Sequence, residues 1–217
     1  SYMSRQRGRA KKSNIDLLEK YRYIGMKYLW TQHSILDRDF LYDKLPRELL
    51  PFDYAACFAN PMTFEMVVTN CLTGRAEYLE EHEGNRQRLL DICRASSSLP
   101  YVSKIIDVDG SLYLDGGIVD SIPVMRAIET GHERNVLVLT RNRGYRKTGR
   151  DLKIPPFIYR RYPRLRVVLS RRIKEYNRQL EMVEQMEARG EVLCIRPQRP
   201  LEVDRIEKDP VKLEALY

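Results

Sequence analysis

The chain has 217 residues, of which 43% are hydrophobic and 31% are charged, and its formal net charge at pH 7 is +8. This composition is typical of a folded, soluble protein of one to one and a half domains, and it excludes an intrinsically disordered chain. The sequence has no apolar run of the roughly 18 residues that a membrane-spanning helix needs, and no apolar stretch behind the basic N-terminus that would indicate a signal peptide.

Hydrophobic periodicity predicts an alternation of helices and strands along the chain. The predicted helices cover 14–30, 37–45, part of 49–60, 85–95, 123–130, 167–189 and a last segment that opens at Asp209-Pro210. The predicted strands cover 63–70, 75–80, 112–114, 135–140 and 191–195. The helix over 167–189 carries a core-facing stripe at spacings of three and four residues, formed by Leu169, Ile173, Tyr176, Leu180, Val183 and Met186.

One acidic turn stands out from this pattern. The short strand 112–114 leads directly into Asp115-Gly116-Gly117, and a helix and then the apolar strand over 135–140, which we expect to be buried, follow. Paired glycines allow positive φ angles or a very close approach of the backbone to another group. The order of strand, turn, helix and strand is typical of an α/β sheet, in which functional groups lie at the carboxyl ends of the strands. Asp115 is therefore the candidate catalytic residue, and the alternative is an ordinary Asx turn.

Other polar residues near this turn have simpler interpretations. Ser96, Ser97 and Ser98 lie at the end of a predicted helix and not in a strand-to-helix elbow, so we expect them to bond to the helix backbone. Asp120 precedes the helix that Pro123 enters, and we expect it to cap that helix rather than to act as a second catalytic acid.

The segment from Ser96 to Pro123 resembles the patatin-like phospholipases, which are serine acyl hydrolases of lipid esters. Asp115-Gly116-Gly117 matches the D-G-G turn of their catalytic Asp, and the serine run before Pro100 is similar to the approach to the same strand in that family. The resemblance runs through the whole chain and is closest to the bacterial branch. It implies a Ser–Asp dyad in which Asp115 is the base and Gly116 and Gly117 keep space clear beside the nucleophile.

The resemblance also implies two parts that residues 1–217 do not contain. None of the serines lies in a G-x-S-x-G frame, and the glycine-rich oxyanion loop is missing as well. In the family, residues 1–10 would be the tail of the helix that follows the nucleophile elbow. We therefore expect a truncated chain with its nucleophile serine outside this sequence.

The resemblance predicts a three-layer α/β/α patatin-like domain with a mainly parallel central sheet, incomplete at its N-terminus. Residues 1–217 are predicted to form this single domain, with a C-terminal helix–strand extension from about residue 165. The implied function is hydrolysis of lipid acyl esters through an acyl-serine intermediate, with no metal or organic cofactor. This fragment alone is expected to be inactive, because it has no nucleophile.

The positive charge is concentrated in residues 141–174, the basic segment, which holds thirteen of the 38 basic residues and one of the 30 acidic residues. It is consistent with a solvated surface loop, with a contact to anionic membrane lipid, or with nucleic-acid binding. No nucleic-acid-binding motif surrounds it, so we expect no nucleic acid. The alternative function is a non-catalytic binding protein that uses this basic face on anionic lipid or nucleic acid.

The cysteines show no C-x-x-C pair and no metal-like spacing with the three histidines; they are Cys57, Cys71, Cys93 and Cys194. This pattern favours reduced, mostly buried thiols over disulfides or zinc. It predicts a cytoplasmic protein, with a peripheral membrane contact if the basic segment binds lipid.

The histidines give no sign of a metal site. His132-Glu133 resembles the start of a zinc H-E-x-x-H motif, but Val136 stands where the second histidine should be. We expect His33, His82 and His132 to be solvated surface residues.

Overall fold

The computed structural model describes residues 2–32, 34–149, 154–203 and 207–216. The prediction for His33, and part of the prediction for the basic segment, lie outside these residues.

The N-terminal third is helical but more broken than its periodicity predicts. Its α-helices are α1 (Arg9–Lys11), α2 (Leu17–Tyr21), α3 (Lys27–Gln32) and α4 (Tyr54–Phe58), with π-helical turns at Lys12–Asp16 and Phe40–Leu49. The predicted helix over 14–30 is interrupted at Arg22, which has a left-handed φ of 45°. Residues 2–8 form turns and not the expected end of a helix, since Arg5 and Gly8 also have positive φ.

Four strands form one sheet in which every neighbouring pair is antiparallel. The strands are β1 (Met66–Asn70), β2 (Ala76–Leu79), β3 (Ile106–Val108) and β4 (Ser111–Asp115), in the order β2-β1-β4-β3. The prediction of a mainly parallel sheet is wrong for this sheet. For two of its three pairs the reason is the length of the connection, because β1–β2 and β3–β4 are joined by residues 71–75 and 109–110 and a parallel pair needs a crossover of a dozen or more residues.

The connection between β3 and β4 illustrates this constraint. Only Asp109 and Gly110 join the two strands, with φ of 53° and 78°. Two central residues with positive φ form the hairpin turn whose twist matches that of antiparallel strands. The sequence prediction overlooked β3, although Asp-Gly between two segments that alternate apolar and polar residues is a recognised signal for a hairpin.

A second sheet has two parallel strands, β5 (Asn135–Val138) and β6 (Val192–Ile195). The chain between them contains the long helix α7 (Pro163–Ala188), which supplies the crossover that parallel pairing requires. The predicted strand over 135–140 was expected to be buried. This is wrong for one face, since Val136 and Val138 are exposed.

Helices lie on both faces of the four-stranded sheet. On one face, α5 (Arg86–Ser96) packs Leu89 and Ile92 against Val68 of β1. On the other face, Leu165 and Leu169 of α7 pack against Leu114 of β4. Each fully buried leucine of this kind contributes about 1.5–3 kcal/mol of burial free energy. The helix–sheet–helix layering of the predicted fold is therefore present around this sheet.

The same helix also forms the core of the C-terminal region. Leu180, Val183 and Met186 of α7 pack against Ile122 and Val124, which lie at the entry to α6 (Val124–Glu129). The chain continues through β6 to a final helix, α8 (Pro210–Leu216). One continuous helix thus supports both the four-stranded sheet and the two-stranded sheet.

All four cysteines are free thiols. Cys57 and Cys71 are buried, and Cys93 and Cys194 are half-buried. Burial raises the pKa of the Cys71 thiol to about 12 and that of Cys93 to about 11, so both stay protonated at neutral pH. Within the described ranges, the helices are too short or too polar to cross a membrane.

Candidate active site

Asp115 is the last residue of β4, and its backbone is fixed by two neighbours. Its N–H donates to the carbonyl oxygen of Ser98 at 2.9 Å, and its carbonyl oxygen accepts from Thr69 Oγ1 at 2.9 Å. Thr69 is completely buried, whereas Asp115 is half-buried. The strand therefore holds the main chain rigidly and presents the carboxylate at its carboxyl end.

One oxygen of the Asp115 carboxylate is engaged in the turn. Oδ1 accepts a hydrogen bond of 2.7 Å from the N–H of Gly117, which begins a short 3₁₀ turn over Gly116–Ile118. This is the Asx turn that the sequence left open as the alternative. Oδ2 accepts no hydrogen bond from the part of the chain that the structure describes. An Asx turn and a free carboxylate oxygen thus coexist at Asp115.

Residue 116 must be glycine because its backbone passes very close to a neighbouring strand. Its φ is not positive. A Cβ placed on Gly116 would lie 2.4 Å from the carbonyl oxygen of Val67 in β1. A Cβ on Gly117 would lie 3.1 Å from Asp115 Oδ1 and 3.5 Å from Ser121 Oγ. Glycine at 116 lets the turn pack directly against β1, and glycine at 117 leaves room beside the carboxylate.

The serine run before β4 is structural, and Ser97 and Ser98 bond to the helix backbone as predicted. The prediction is wrong for Ser96, because its hydroxyl reaches the neighbouring strand β1. Ser96 Oγ donates at 2.8 Å to the Val67 carbonyl, the same group that Gly116 approaches. Ser97 Oγ donates to the Cys93 carbonyl at 2.8 Å. Buried Ser98 donates to the Arg94 carbonyl at 2.7 Å. These hydrogen bonds hold the end of α5 beside β1 and β4.

Asp120 does not cap the following helix. Helix α6 begins at Val124 and has no side-chain cap, because Asp120 lies too far upstream to reach its first amides. Instead, Asp120 Oδ2 accepts from Tyr78 Oη at 2.6 Å, and Oδ1 accepts from Gln179 Nε2 at 3.2 Å. Burial and the neighbouring carboxylate raise the pKa of Tyr78, so its hydroxyl stays a donor.

Gln179 is the residue near this turn that sequence reasoning missed. It lies on α7, and only 6% of its surface is exposed. The available signal was a polar residue in the core-facing stripe, three positions after Tyr176 and four before Val183. The structure shows why it is tolerated there, because its amide binds the loop that follows Ile118.

The two histidines that the structure describes, His82 and His132, form no hydrogen bond with the residues of this turn. His82 is exposed, with Nδ1 3.9 Å from Glu80 Oε1. His132 is also exposed, and its Nδ1 lies 3.1 Å from Thr130 Oγ1. Both match the prediction of surface residues. The described part of the chain holds no group of three or more His, Cys, Asp or Glu side chains that could bind a metal ion.

The basic segment divides into two parts. In the first, Arg143 pairs with Glu187 at 3.2 Å and Arg146 pairs with Glu184 at 2.6 Å, which docks this loop on α7. The Arg146 guanidinium lowers the pKa of the Glu184 carboxyl. In the second part, over 154–174, the side chains of several arginines remain exposed.

Comparison with known proteins gives separate matches for the N-terminal and the C-terminal parts of the chain. A family model described as patatin-like phospholipase matches residues 4–128, which include Asp115, Gly116 and Gly117. A second model, described as a domain of unknown function (DUF6363), matches residues 162–217. The uncharacterized protein YjjU of Escherichia coli K12 is 32% identical over 111 residues, which is 49% of this chain. The match covers 30% of the length of that relative.

Proposed function

Because the chain belongs to the patatin-like phospholipase family, we propose that it is part of a lipid acyl hydrolase in which Asp115 is the base of a Ser–Asp dyad. The observation that carries the proposal is the Asp115 carboxylate, which has Oδ1 fixed by Gly117 and Oδ2 without a partner in the described residues. A base must have a free lone pair and a fixed position to accept a proton.

The nucleophile serine would come from outside residues 1–217. No serine of this sequence lies in a G-x-S-x-G frame. The match to the Escherichia coli relative covers 30% of the length of that protein. Ser96, Ser98 and Ser121, which lie around the Asp115 turn, donate to backbone carbonyls instead.

The dyad would work in two half-reactions. In the first, the serine hydroxyl gives its proton to Asp115 Oδ2 while Oγ bonds to the acyl carbon, and the proton then passes to the departing alcohol oxygen. In the second, water gives a proton to Asp115 and its oxygen attacks the acyl-serine, and the proton returns to serine Oγ as that bond breaks. Backbone amides of a glycine loop would stabilise the oxyanion in both steps. This chemistry needs no metal or organic cofactor.

The test is the change Asp115→Asn in the full-length protein, assayed on a short soluble ester. Asparagine keeps the size and the Asx turn but cannot accept the proton, so we expect kcat to fall by roughly 10²–10⁴-fold. His82→Gln and His132→Gln are the controls and should change kcat by less than about threefold, because both side chains lie on the surface. An active Asp115→Asn protein together with an inactive histidine variant would contradict the dyad.

Residues 1–217 expressed alone should not hydrolyse esters. Loss of the nucleophile costs on the order of 10⁶-fold where it has been measured in a serine hydrolase. Turnover by this segment that needs Asp115 but resists a serine-reactive phosphonate would contradict a serine nucleophile.

As a partner we propose an anionic phospholipid membrane, bound through the exposed part of the basic segment. Phe157 is 78% exposed, and Val167 lies on the outer face of α7. The exposed basic side chains around them are Arg160, Arg161, Arg164, Arg171 and Lys174, and none of these forms an ion pair with a described acidic residue. Each contributes about 1 kcal/mol at an anionic surface. A cytoplasmic location belongs to the same proposal, because four free thiols suit a reducing compartment.

Vesicle binding tests this contact. Binding to phosphatidylglycerol-containing vesicles should weaken steeply with salt, and it should be lost when Arg160, Arg161 and Arg164 are changed to Glu. Soluble-ester hydrolysis should be unchanged. The matched control is the same charge reversal at three exposed arginines elsewhere, namely Arg7, Arg134 and Arg199.

Equal binding to neutral and anionic vesicles would overturn the membrane contact, and tighter binding to RNA would favour nucleic acid. Vesicle binding by a full-length protein that hydrolyses no ester would favour the alternative, a non-catalytic lipid-binding protein.

A further inference from the structure

We propose that Gln179 is a positioning residue through which the C-terminal segment of unknown function holds the Asp115 turn in place. This inference rests on the proposed role of Asp115 as the base. It gives the segment matched over 162–217 a specific task in the site formed by residues 4–128.

The side chain of Gln179 uses all of its hydrogen-bonding capacity on one loop. Oε1 accepts from the N–H of Ser121 at 3.0 Å and from the N–H of Ile122 at 3.3 Å. Nε2 donates to the carbonyl of Val119 at 3.1 Å and to Asp120 Oδ1 at 3.2 Å. A buried amide that is fully satisfied in this way specifies one arrangement of its partners, because any other leaves polar groups unpaired.

Hydrogen bonds connect this loop directly to the catalytic carboxylate. Ser121 Oγ donates to the carbonyl of Gly117 at 2.9 Å, and the N–H of the same Gly117 donates to Asp115 Oδ1 at 2.7 Å. The N–H of Asp120 donates to the carbonyl of Gly116 at 2.9 Å. A displacement of the loop therefore moves the peptide group that orients the Asp115 carboxylate.

Helix α7 provides a rigid support for Gln179. Leu169 packs beneath β4 on the N-terminal side, and Leu180 and Val183 pack beneath Ile122 on the C-terminal side. All of these side chains are at most 5% exposed, apart from Ile122 at 7%. The amide is thus held between two packed regions, and Tyr78 binds the other oxygen of the Asp120 carboxylate.

The expected consequence is a loss of turnover with little change in substrate binding. A displacement of about 1 Å in a catalytic group can cost on the order of 10²-fold in rate. In the full-length protein, Gln179→Leu should lower kcat by about 10- to 100-fold while KM stays within about twofold. The acid limb of the pH–rate profile should also move, because the environment of the base changes. A residue that only stabilised the fold would not change these quantities in the folded enzyme.

The decisive measurement is amide hydrogen exchange in residues 116–122, which needs no catalysis. Gln179→Leu should accelerate exchange at the amides of Ser121 and Ile122. The matched control is Leu89→Ala on α5, which creates a cavity in a core cluster that contains none of residues 116–122. It should lower the melting temperature by a similar amount, with kcat within about threefold of the wild-type value.

The inference is overturned if exchange in residues 116–122 is unchanged in Gln179→Leu, or if the folded variant matches Leu89→Ala in kcat. If Gln179→Leu does not fold, the variant Ser121→Ala tests the inference instead, because it removes only the hydrogen bond to Gly117. A wild-type kcat and pH profile for Ser121→Ala would then overturn it. Failure of the proposed function is a separate result, which is full activity of Asp115→Asn.

Discussion

The two sheets of this protein differ in how their faces are covered. In the four-stranded sheet, Val68 and Leu114 point to opposite faces and both are completely buried. In the two-stranded sheet, alternate residues of both strands are open to solvent, and Val138 and Leu193 are 74% and 61% exposed. Helix α7 packs on both sheets, so the difference arises from what lies on the other face of each.

This difference explains where the candidate base is found. A catalytic group must be held in a fixed geometry, and a strand packed on both faces provides it. Asp115 lies at the end of such a strand. A region with one open face has fewer apolar contacts and is expected to open more readily in local unfolding. The comparison can be tested by matched changes in the two sheets of the full-length protein.

The largest effect is expected from truncating a leucine in each sheet. Leu114→Ala removes a fully buried side chain from β4 and should lower the free energy of unfolding by about 2–5 kcal/mol. Leu193→Ala makes the same change in β6 at an exposed position and should stay within about 0.5 kcal/mol. Urea denaturation followed by circular dichroism measures both. Equal losses would mean that the outer face of β6 is covered in the whole protein.

The next effect concerns the close approach of the turn to β1. Gly116→Ala places a Cβ against the backbone of Val67, which cannot move without shifting the strand. We expect a loss of about 1–3 kcal/mol in the free energy of unfolding. Gly117→Ala is the control, since its Cβ meets the movable Asp115 carboxylate at 3.1 Å. That variant should keep most of its stability and lose ester hydrolysis, whereas equal stability of the two variants would refute the packing argument.

A smaller effect is expected from Tyr78→Phe. The change removes one hydrogen bond to the Asp120 carboxylate and leaves the ring in place. A hydrogen bond to a charged group is worth about 1.5–3 kcal/mol when buried, and Asp120 is half-buried, so we expect a loss of about 1 kcal/mol. Tyr113→Phe removes the corresponding bond to Glu77 in the same sheet and is the control for the loop. Only Tyr78→Phe should accelerate hydrogen exchange at Asp120.

The smallest effect is a pH dependence confined to the C-terminal region. The pKa of Glu184 is lowered from its ordinary value of 4.5 by Arg146, so the folded state favours the ionised form. The pair therefore stabilises the protein above pH 4.5, and this contribution is lost as pH falls through the lowered pKa. Arg146 is more than a third exposed, so the contribution should be less than about 1 kcal/mol.

Hydrogen exchange at Gly144, whose N–H donates to Glu184, measures this loss. Its exchange, corrected for the intrinsic pH dependence, should rise in acid in the wild-type protein. In Glu184→Gln it should be high at every pH. A wild-type profile in that variant would show that the ion pair does not hold the loop.

Local patterns in the sequence were sufficient to predict most elements and the candidate base. Periodicity placed four elements close to their observed positions, namely α5, α7, β1 and β2. This works because the apolar residues that an element buries recur at the spacing of that element. The turn at Asp115 was recognised for the same reason, since strand, acid and glycines are adjacent in the chain. Its role in catalysis stays a prediction.

Tertiary structure decided the contacts that hold this turn. Thr69 and Asp115 are 46 positions apart, and Gln179 and Ser121 are 58 apart. No local pattern specifies which strand lies beside β4, or that a glutamine in an apolar stripe faces the loop after the turn. These partners are chosen when the sheet and α7 pack together and each buried polar group must find a hydrogen bond.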